Sequence, residues 1–226
     1  MNKIYGKLHD LRYGLFFCSQ LAILFGSLIM PIALYDSVIM PILFMLNILF
    51  GLLLTSKNKR LTQAFAILFL ILIVIFGFNL IKKSESNLLS FIRFGVYFVF
   101  YIFVTIEIIK QVLKTKSVSK NVITGLMSGY ISMGFLAFFM FTTIEIAVPG
   151  SFKGLLPAGG TFLNKVDALL YYSYITLLTI GYGDIVPLTD VARKSSFFVG
   201  ILGQFYIIIV TTVVVEKYIY NSRNRK

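Results

Sequence analysis

The sequence has a single cysteine, Cys18, so no disulfide closes within the chain. It has a single histidine, His9, set in a basic N-terminal arm where a solvated surface residue is the ordinary reading. No cluster of metal-ligating side chains and no nucleophile with its base follows from the spacing, so enzyme chemistry has nothing to stand on and no cofactor is expected. Charge is scarce as well. Only 13% of residues are charged, against about 25% in soluble domains.

What is present is apolar. Of 226 residues, 58% are hydrophobic, and mean hydropathy is +0.89. That balance predicts an all-α integral membrane protein. A helix needs roughly 20 apolar residues to cross a bilayer. Six candidate spans meet or approach that length: 11–31, 38–55, 61–81, 88–109, 121–148 and 192–219. The first follows Lys3, Lys7 and Arg12 in the manner of a signal peptide, but its apolar run is too long for one and is read as a retained anchor.

A net charge of +12 in a soluble chain would suggest a nucleic-acid partner. Topology accounts for it better. With the N-terminus inside, fourteen basic residues fall on the cytoplasmic side: Lys3, Lys7, Arg12, Lys57, Lys59, Arg60, Lys110, Lys114, Lys116, Lys120, Lys217, Arg223, Arg225 and Lys226. Six fall outside (Lys82, Lys83, Lys153, Lys165, Arg193, Lys194), and Arg93 lies within a span. The positive-inside rule then puts both termini in the cytoplasm. A multi-pass protein of the cell membrane, of prokaryotic inner-membrane type, is expected.

The clearest boundary is the basic, Ser-rich stretch "LKTKSVSKN", 113–121. It divides a four-span part, 1–115, from a second part, 116–226. The second part holds two spans, the only Gly/Pro-rich loop ("PGSFKGLLPAGG", 149–160) and an apolar piece, 168–178. As a helix those eleven residues cover about 16 Å, against a hydrocarbon core of about 30 Å. The piece can enter the membrane but not cross it, and irregular backbone behind it is tolerated only when buried in protein or lining water. Helix, re-entrant loop, helix is the predicted order. Gly125 and Gly129, with Ser128 and Ser132 nearby, predict close helix packing in the fifth span.

Behind the short helix stands "TIGYGD", 179–184. Placed between two spans, it resembles the selectivity filter of the potassium channel superfamily, and six spans per chain resemble its voltage-gated branch. The resemblance implies a homotetramer, since one loop cannot enclose an ion, with a pore domain over 116–226 and a sensor-like four-helix domain over 1–115. It implies K+ sites at the carbonyls of Thr179, Ile180, Gly181 and Tyr182, with Gly183 completing the filter and the Thr179 hydroxyl contributing. Carbonyls facing one axis need residues of positive φ, which Gly181 and Gly183 supply cheaply. Ile180 and Tyr182 would point off the axis. Five extended residues span at most about 17 Å, so a water-filled cavity takes up the remaining depth.

The resemblance extends to neighbours. Asp184 would sit at the outer mouth. Tyr171 and Tyr172 stand where relatives brace the filter with a tryptophan pair, and would hydrogen-bond to Tyr182 or its neighbours unless they are plain interfacial aromatics. Glu145 resembles a carboxylate that accepts from backbone near Thr189 at the last helix's start; an exposed interfacial acid is the alternative. Gly203 has the spacing of a hinge glycine, with close packing on the short helix equally possible. Gln204, Ile207, Thr211 and Val215 share one helical face as candidate pore lining, Val215 as an apolar constriction. Leu178 departs from the family, where many relatives have a second threonine.

The fourth span fails as a voltage sensor. Reading in threes gives Ser90, Arg93, Val96, Val99, Ile102 and Thr105, one charge where several are required. Asp36 and Glu85 are placed in loops, so countercharges in the first three spans are missing. Weak or absent voltage dependence is expected. Lys110, Lys114, Lys116 and Lys120 are topology anchors in the ordinary reading and an anionic-lipid contact in the other. Two functions compete with the channel: a subunit of a coupled potassium transporter, which resembles channels but carries four degenerate loops in one chain, and a non-conducting membrane sensor or scaffold.

Overall fold

The computed structural model of the chain describes residues 2–31, 34–56, 58–82, 87–115, 119–155 and 162–223. Helix α1, Asn2–Phe25, ends in a 3-10 turn, Gly26–Leu28. A π turn, Tyr35–Ile39, runs directly into α2, Met40–Thr55. Then come α3 (Lys59–Lys82), α4 (Asn87–Lys114) and α5 (Lys120–Ala147). The re-entrant region contains β1 (Phe152–Lys153), α6 (Phe162–Leu177) and β2 (Val186–Pro187), and α7, Asp190–Arg223, completes the chain.

Five of these helices, among the described residues, are long and apolar enough to cross a membrane: α1, α3, α4, α5 and α7. The sixth expected span is shorter, because α2 proper has 16 residues. The π turn supplies its missing length as continuous helical backbone from residue 35. Asp36 therefore lies in helical backbone rather than a loop, though its side chain is outside the described residues, as is Glu85 altogether.

Local chemistry sets the turns. The Asn58 carboxamide oxygen accepts from the Leu61 amide at 3.4 Å, and the Thr62 hydroxyl donates to the Thr55 carbonyl at 2.9 Å, fixing the α2–α3 corner. Ser119 caps α5, its hydroxyl accepting from the Val122 amide at 3.4 Å.

Helix α5 is the axis of the protomer, 67% of its span enclosed against 17% for α3 and 18% for α7. An aromatic core joins the two parts of the chain. The Phe44 ring of α2 lies 5.1 Å from Tyr97 of α4, 5.4 Å from Phe135 and 5.2 Å from Phe139 of α5. Such tilted and edge contacts each add about 0.5–1.5 kcal/mol beyond area burial. Polar side chains pin the helices, as they must where lipid offers no hydrophobic drive. Tyr101 donates to Asn47 at 2.8 Å, Asn47 donates to Ser19 at 2.7 Å, and Gln20 donates to the Ser132 hydroxyl at 2.7 Å. Gly125 and Gly129 admit side chains rather than a bare backbone: a Cβ at Gly125 would meet the Tyr13 ring at 3.2 Å, and one at Gly129 the Tyr206 hydroxyl at 2.6 Å. Cys18 is exposed on α1.

The face of α4 carrying Ser90, Phe94, Tyr97, Tyr101, Val104 and Ile108 is buried. Arg93 is half-buried beside it, its guanidinium 5.2 Å from the Phe94 ring centre.

Candidate ion-conduction site

The short helix is longer than its apolar run suggests. It covers Phe162–Leu177, 16 residues, because polar residues such as Asn164, Lys165 and Asp167 continue it toward its N-terminus. At about 24 Å it still falls short of the hydrocarbon thickness.

Its C-terminal end is wedged between α5 and α7. The Tyr174 hydroxyl donates to the Ile131 carbonyl of α5 at 2.8 Å, and its ring occupies the space at Gly134, where a Cβ would stand 2.2 Å from it. Tyr130 donates to the Leu177 carbonyl at 3.4 Å. On the other side Gly203 of α7 meets that same carbonyl, so closely that a Cβ would lie 2.2 Å from the oxygen. Helix α7 runs unbroken through Gly203 over 34 residues. Of the two readings of this glycine, close packing is the one the contacts describe.

The chain then turns back on the helix end. The amides of Ile180 and Gly181 both donate to the Ile175 carbonyl, at 2.9 and 3.3 Å, and the Thr179 amide donates to Thr176 at 3.0 Å. Thr179 has φ of 57°, Gly181 58° and Gly183 84°. Positive φ at a β-branched residue is strained, of order 1–3 kcal/mol. Thr179 is held there by the flanking amides and by Gln204, whose amide donates to its hydroxyl at 3.2 Å. Ile180 and Tyr182 are 47% and 72% exposed, so this stretch lies open on the outside of the protomer.

The outer end is built from more parts than the sequence alone suggests. Glu145 is 5% exposed, which removes the interfacial-acid alternative. Its carboxylate accepts from the amides of Gly150 at 3.0 Å and Phe152 at 3.3 Å and pairs with Lys165 at 3.5 Å. The expected backbone near Thr189 is not its partner. That region is reached through one more residue: the Leu188 amide donates to the Ser151 carbonyl at 2.8 Å, and the Thr189 hydroxyl to the Ser151 hydroxyl at 3.3 Å. The antiparallel pair Phe152–Pro187 and Lys153–Val186 closes this seam. Gly154, φ 91°, admits the Asp184 carbonyl where a Cβ would stand 2.1 Å away.

The two tyrosines take different partners. Tyr171 stands beside Asp184, and interaction with that carboxylate, ahead of desolvation, raises the phenol above its ordinary pKa. Tyr172 does not reach Tyr182. Its hydroxyl pairs with Ser196 of α7 at 2.8 Å, while its ring packs 5.1 Å from Phe141 and 5.4 Å from Phe152. Ser151, Phe152, Gly154, Lys165 and Ser196 carry no mark in the sequence because only a folded loop brings them to the site. Ile207 and Val215 are exposed on α7 at 46% and 51%; the Thr211 side chain is outside the described residues.

Replacing Glu145 by alanine leaves two amides and a partly enclosed ammonium without their acceptor. We expect a loss of about 2–4 kcal/mol, seen as a lower thermal midpoint of the solubilised protein, with Glu145→Gln intermediate. An unchanged midpoint in both variants would show that the loop holds without the carboxylate.

Among the described residues no group of His, Cys, Asp and Glu is placed to hold a metal ion. The polar side chains of the exposed turn at 178–184 are the hydroxyls of Thr179 and Tyr182 and the carboxylate of Asp184.

Comparison with known proteins places the same region. Residues 147–220 match the family described as "Ion channel". A stretch of 95 residues is 28% identical to the potassium voltage-gated channel protein Shal of Drosophila melanogaster, covering 41% of the chain. Another of 87 residues is 34% identical to two pore potassium channel c of Oryza sativa subsp. japonica, covering 38% of the chain. The chain covers 17% of the length of each of these relatives. No solved structure matches it. The family match spans the re-entrant helix, the loop and most of α7, so this part of the chain is similar to ion channels, and stretches of the chain are similar to the two potassium channels.

Proposed function

We propose that four copies of the chain form a potassium-selective channel that passes K+ passively down its gradient. The observation that carries this reading is the alternation of φ sign along the turn, positive at Thr179, Gly181 and Gly183. An ordinary strand alternates its carbonyl directions. Alternating the handedness of successive residues instead turns them toward one side. The carbonyls of Thr179, Ile180, Gly181 and Tyr182 would then replace the hydration shell of K+ on a four-fold axis, with Gly183 and Asp184 at the mouth.

The helix end supports this assignment. The C-terminus of α6 directs its negative dipole toward a cation below the filter. Ile180, Tyr182 and the apolar face of α7 (Phe197, Phe205, Ile208) are exposed in one protomer, and neighbouring subunits would cover them. Gln204, Ile207, Thr211 and Val215 would line the inner pore. Residues 116–226 would form the pore domain and 1–115 a sensor-like domain, with both termini in the cytoplasm of a prokaryotic-type cell membrane. Lys110, Lys114, Lys116 and Lys120 would meet anionic lipid there. The purified protein in a planar bilayer should give single-channel currents reversing at the K+ equilibrium potential. Equal permeability to Na+ would overturn the reading.

Voltage contributes little. A single arginine crossing the field yields about 2.3 kcal/mol per 100 mV, whereas steep gating uses 3–4 charges per subunit. We expect Arg93→Gln to leave an already flat conductance–voltage curve flat. A large shift would show that α4 senses the field.

A further inference from the structure

Away from the filter, one end of the four-helix part forms an open cleft of about 920 Å³, at the upper end of ligand-sized pockets. Its lining brings together Arg12 of α1, Lys59 and Arg60 of α3, and Lys110 and Lys114 of α4, against one carboxylate, Glu107. Lys59, Arg60, Lys110 and Lys114 make no ion pair among the described residues. Like charges gathered in a concavity repel, and a topology rule that only counts lysines and arginines on one side of a membrane does not require them to converge.

The floor is rigid. Gln111 donates to the Leu54 carbonyl and to Glu107, each at 2.8 Å, and accepts from the Tyr13 hydroxyl at 2.6 Å. These bonds tie α1, α2 and α4 together and occupy both side-chain N–H donors of Gln111. The Arg12 guanidinium lies 4.7 Å from the Tyr13 ring centre, a stacked position that orients its donor fork. Two guanidinium forks and three ammonium groups around a fixed floor match a phosphoryl group, which accepts bidentate bonds and carries up to two charges.

We propose that this cavity binds a phosphate monoester, from an anionic phospholipid headgroup or from a soluble phosphate. The site shares Lys110 and Lys114 with the linker contact suggested above but adds Arg12, Lys59 and Arg60 from two other helices and leaves out Lys116 and Lys120, and it draws on the proposed topology only for the side of the membrane it faces. Binding is read without conduction, so it stands or falls apart from the channel reading.

The full-length protein in detergent is titrated with dioleoyl phosphatidate, with dioleoyl phosphatidylcholine as the zwitterionic reference, and retained lipid is counted by native mass spectrometry. Each cation removed should weaken phosphatidate binding about fivefold, so Arg60→Gln/Lys114→Gln should weaken it about 25-fold. Both side chains are exposed, which spares the fold. The linker pair Lys116→Gln/Lys120→Gln should change it less than twofold. Inorganic pyrophosphate displacing the lipid would identify a site that accepts soluble phosphates; retention in its presence would assign the site to membrane lipid. Phosphatidate binding no better than phosphatidylcholine, or a linker pair costing as much as the cavity pair, would overturn the proposal.

Discussion

Gly181→Ala is expected to abolish potassium flux while leaving the protein in the membrane. The residue has φ of 58°. Nothing in the protomer lies within 4 Å of the position a Cβ would take there, so backbone conformation rather than crowding is at issue. A side chain in the left-handed region costs roughly 1–2 kcal/mol. In a four-fold ring the cost is incurred four times at one ion site, about 4–8 kcal/mol, enough for the chain to flip its carbonyls away from the axis. Gly150 provides the control. It has φ of 84° and equal open space but lies in the loop after α5, so Gly150→Ala should carry the same strain and still conduct. Flux of 42K+ or Rb+ into proteoliposomes separates the two. Normal flux in Gly181→Ala would refute the filter geometry.

The contrast between those glycines shows what the sequence can reveal. Composition and hydrophobic length mark the membrane class and helices α1–α5 and α7, because burial in lipid requires long apolar runs whatever the tertiary packing. Helix edges are less legible. The polar N-terminal turns of α6 carry no apolar period to announce them, and Lys165 there pairs with Glu145 of α5. The π turn before α2 likewise lengthens a span that its own 16 residues leave short.

Site residues divide in the same way. Gly181 and Gly183 are conspicuous because only backbone freedom explains glycines in an apolar run. Thr179 shares their positive φ without any such mark; its strain is held by the carbonyl of Ile175 and by Gln204, 25 positions away. Glu145 and Tyr172 stand out as residue types, yet their partners, Gly150, Phe152 and Ser196, depend on how the loop 149–155 folds over α6. No spacing rule encodes such a long-range pairing. The basic cavity is hidden for a similar reason: Arg12, Arg60 and Lys114 are remote in sequence, and only the bundle brings them together.

Gly203→Ala should cost as much function as the filter substitution, by a different route. In an unstrained helix alanine is preferred to glycine by about 1 kcal/mol. A hinge reading therefore predicts a stable tetramer with altered opening. The contacts predict otherwise. The new Cβ would stand 2.2 Å from the Leu177 carbonyl oxygen and 3.2 Å from its carbonyl carbon, and backbone cannot rotate out of the way as a flexible side chain can. Relief requires α6 and α7 to separate, which moves the Ile175 carbonyl on which Ile180 and Gly181 hang. We expect at least a tenfold fall in K+ flux together with a lower thermal midpoint of the solubilised assembly. Gly200 lies less than one turn earlier on the same helix with nothing within 4 Å of its Cβ position. Gly200→Ala should thus leave flux intact and stability equal or higher. Indistinguishable behaviour of the two alanine variants would mean that Gly203 does not position the filter through Leu177, and that the wedge between α5 and α7 tolerates movement the packing forbids.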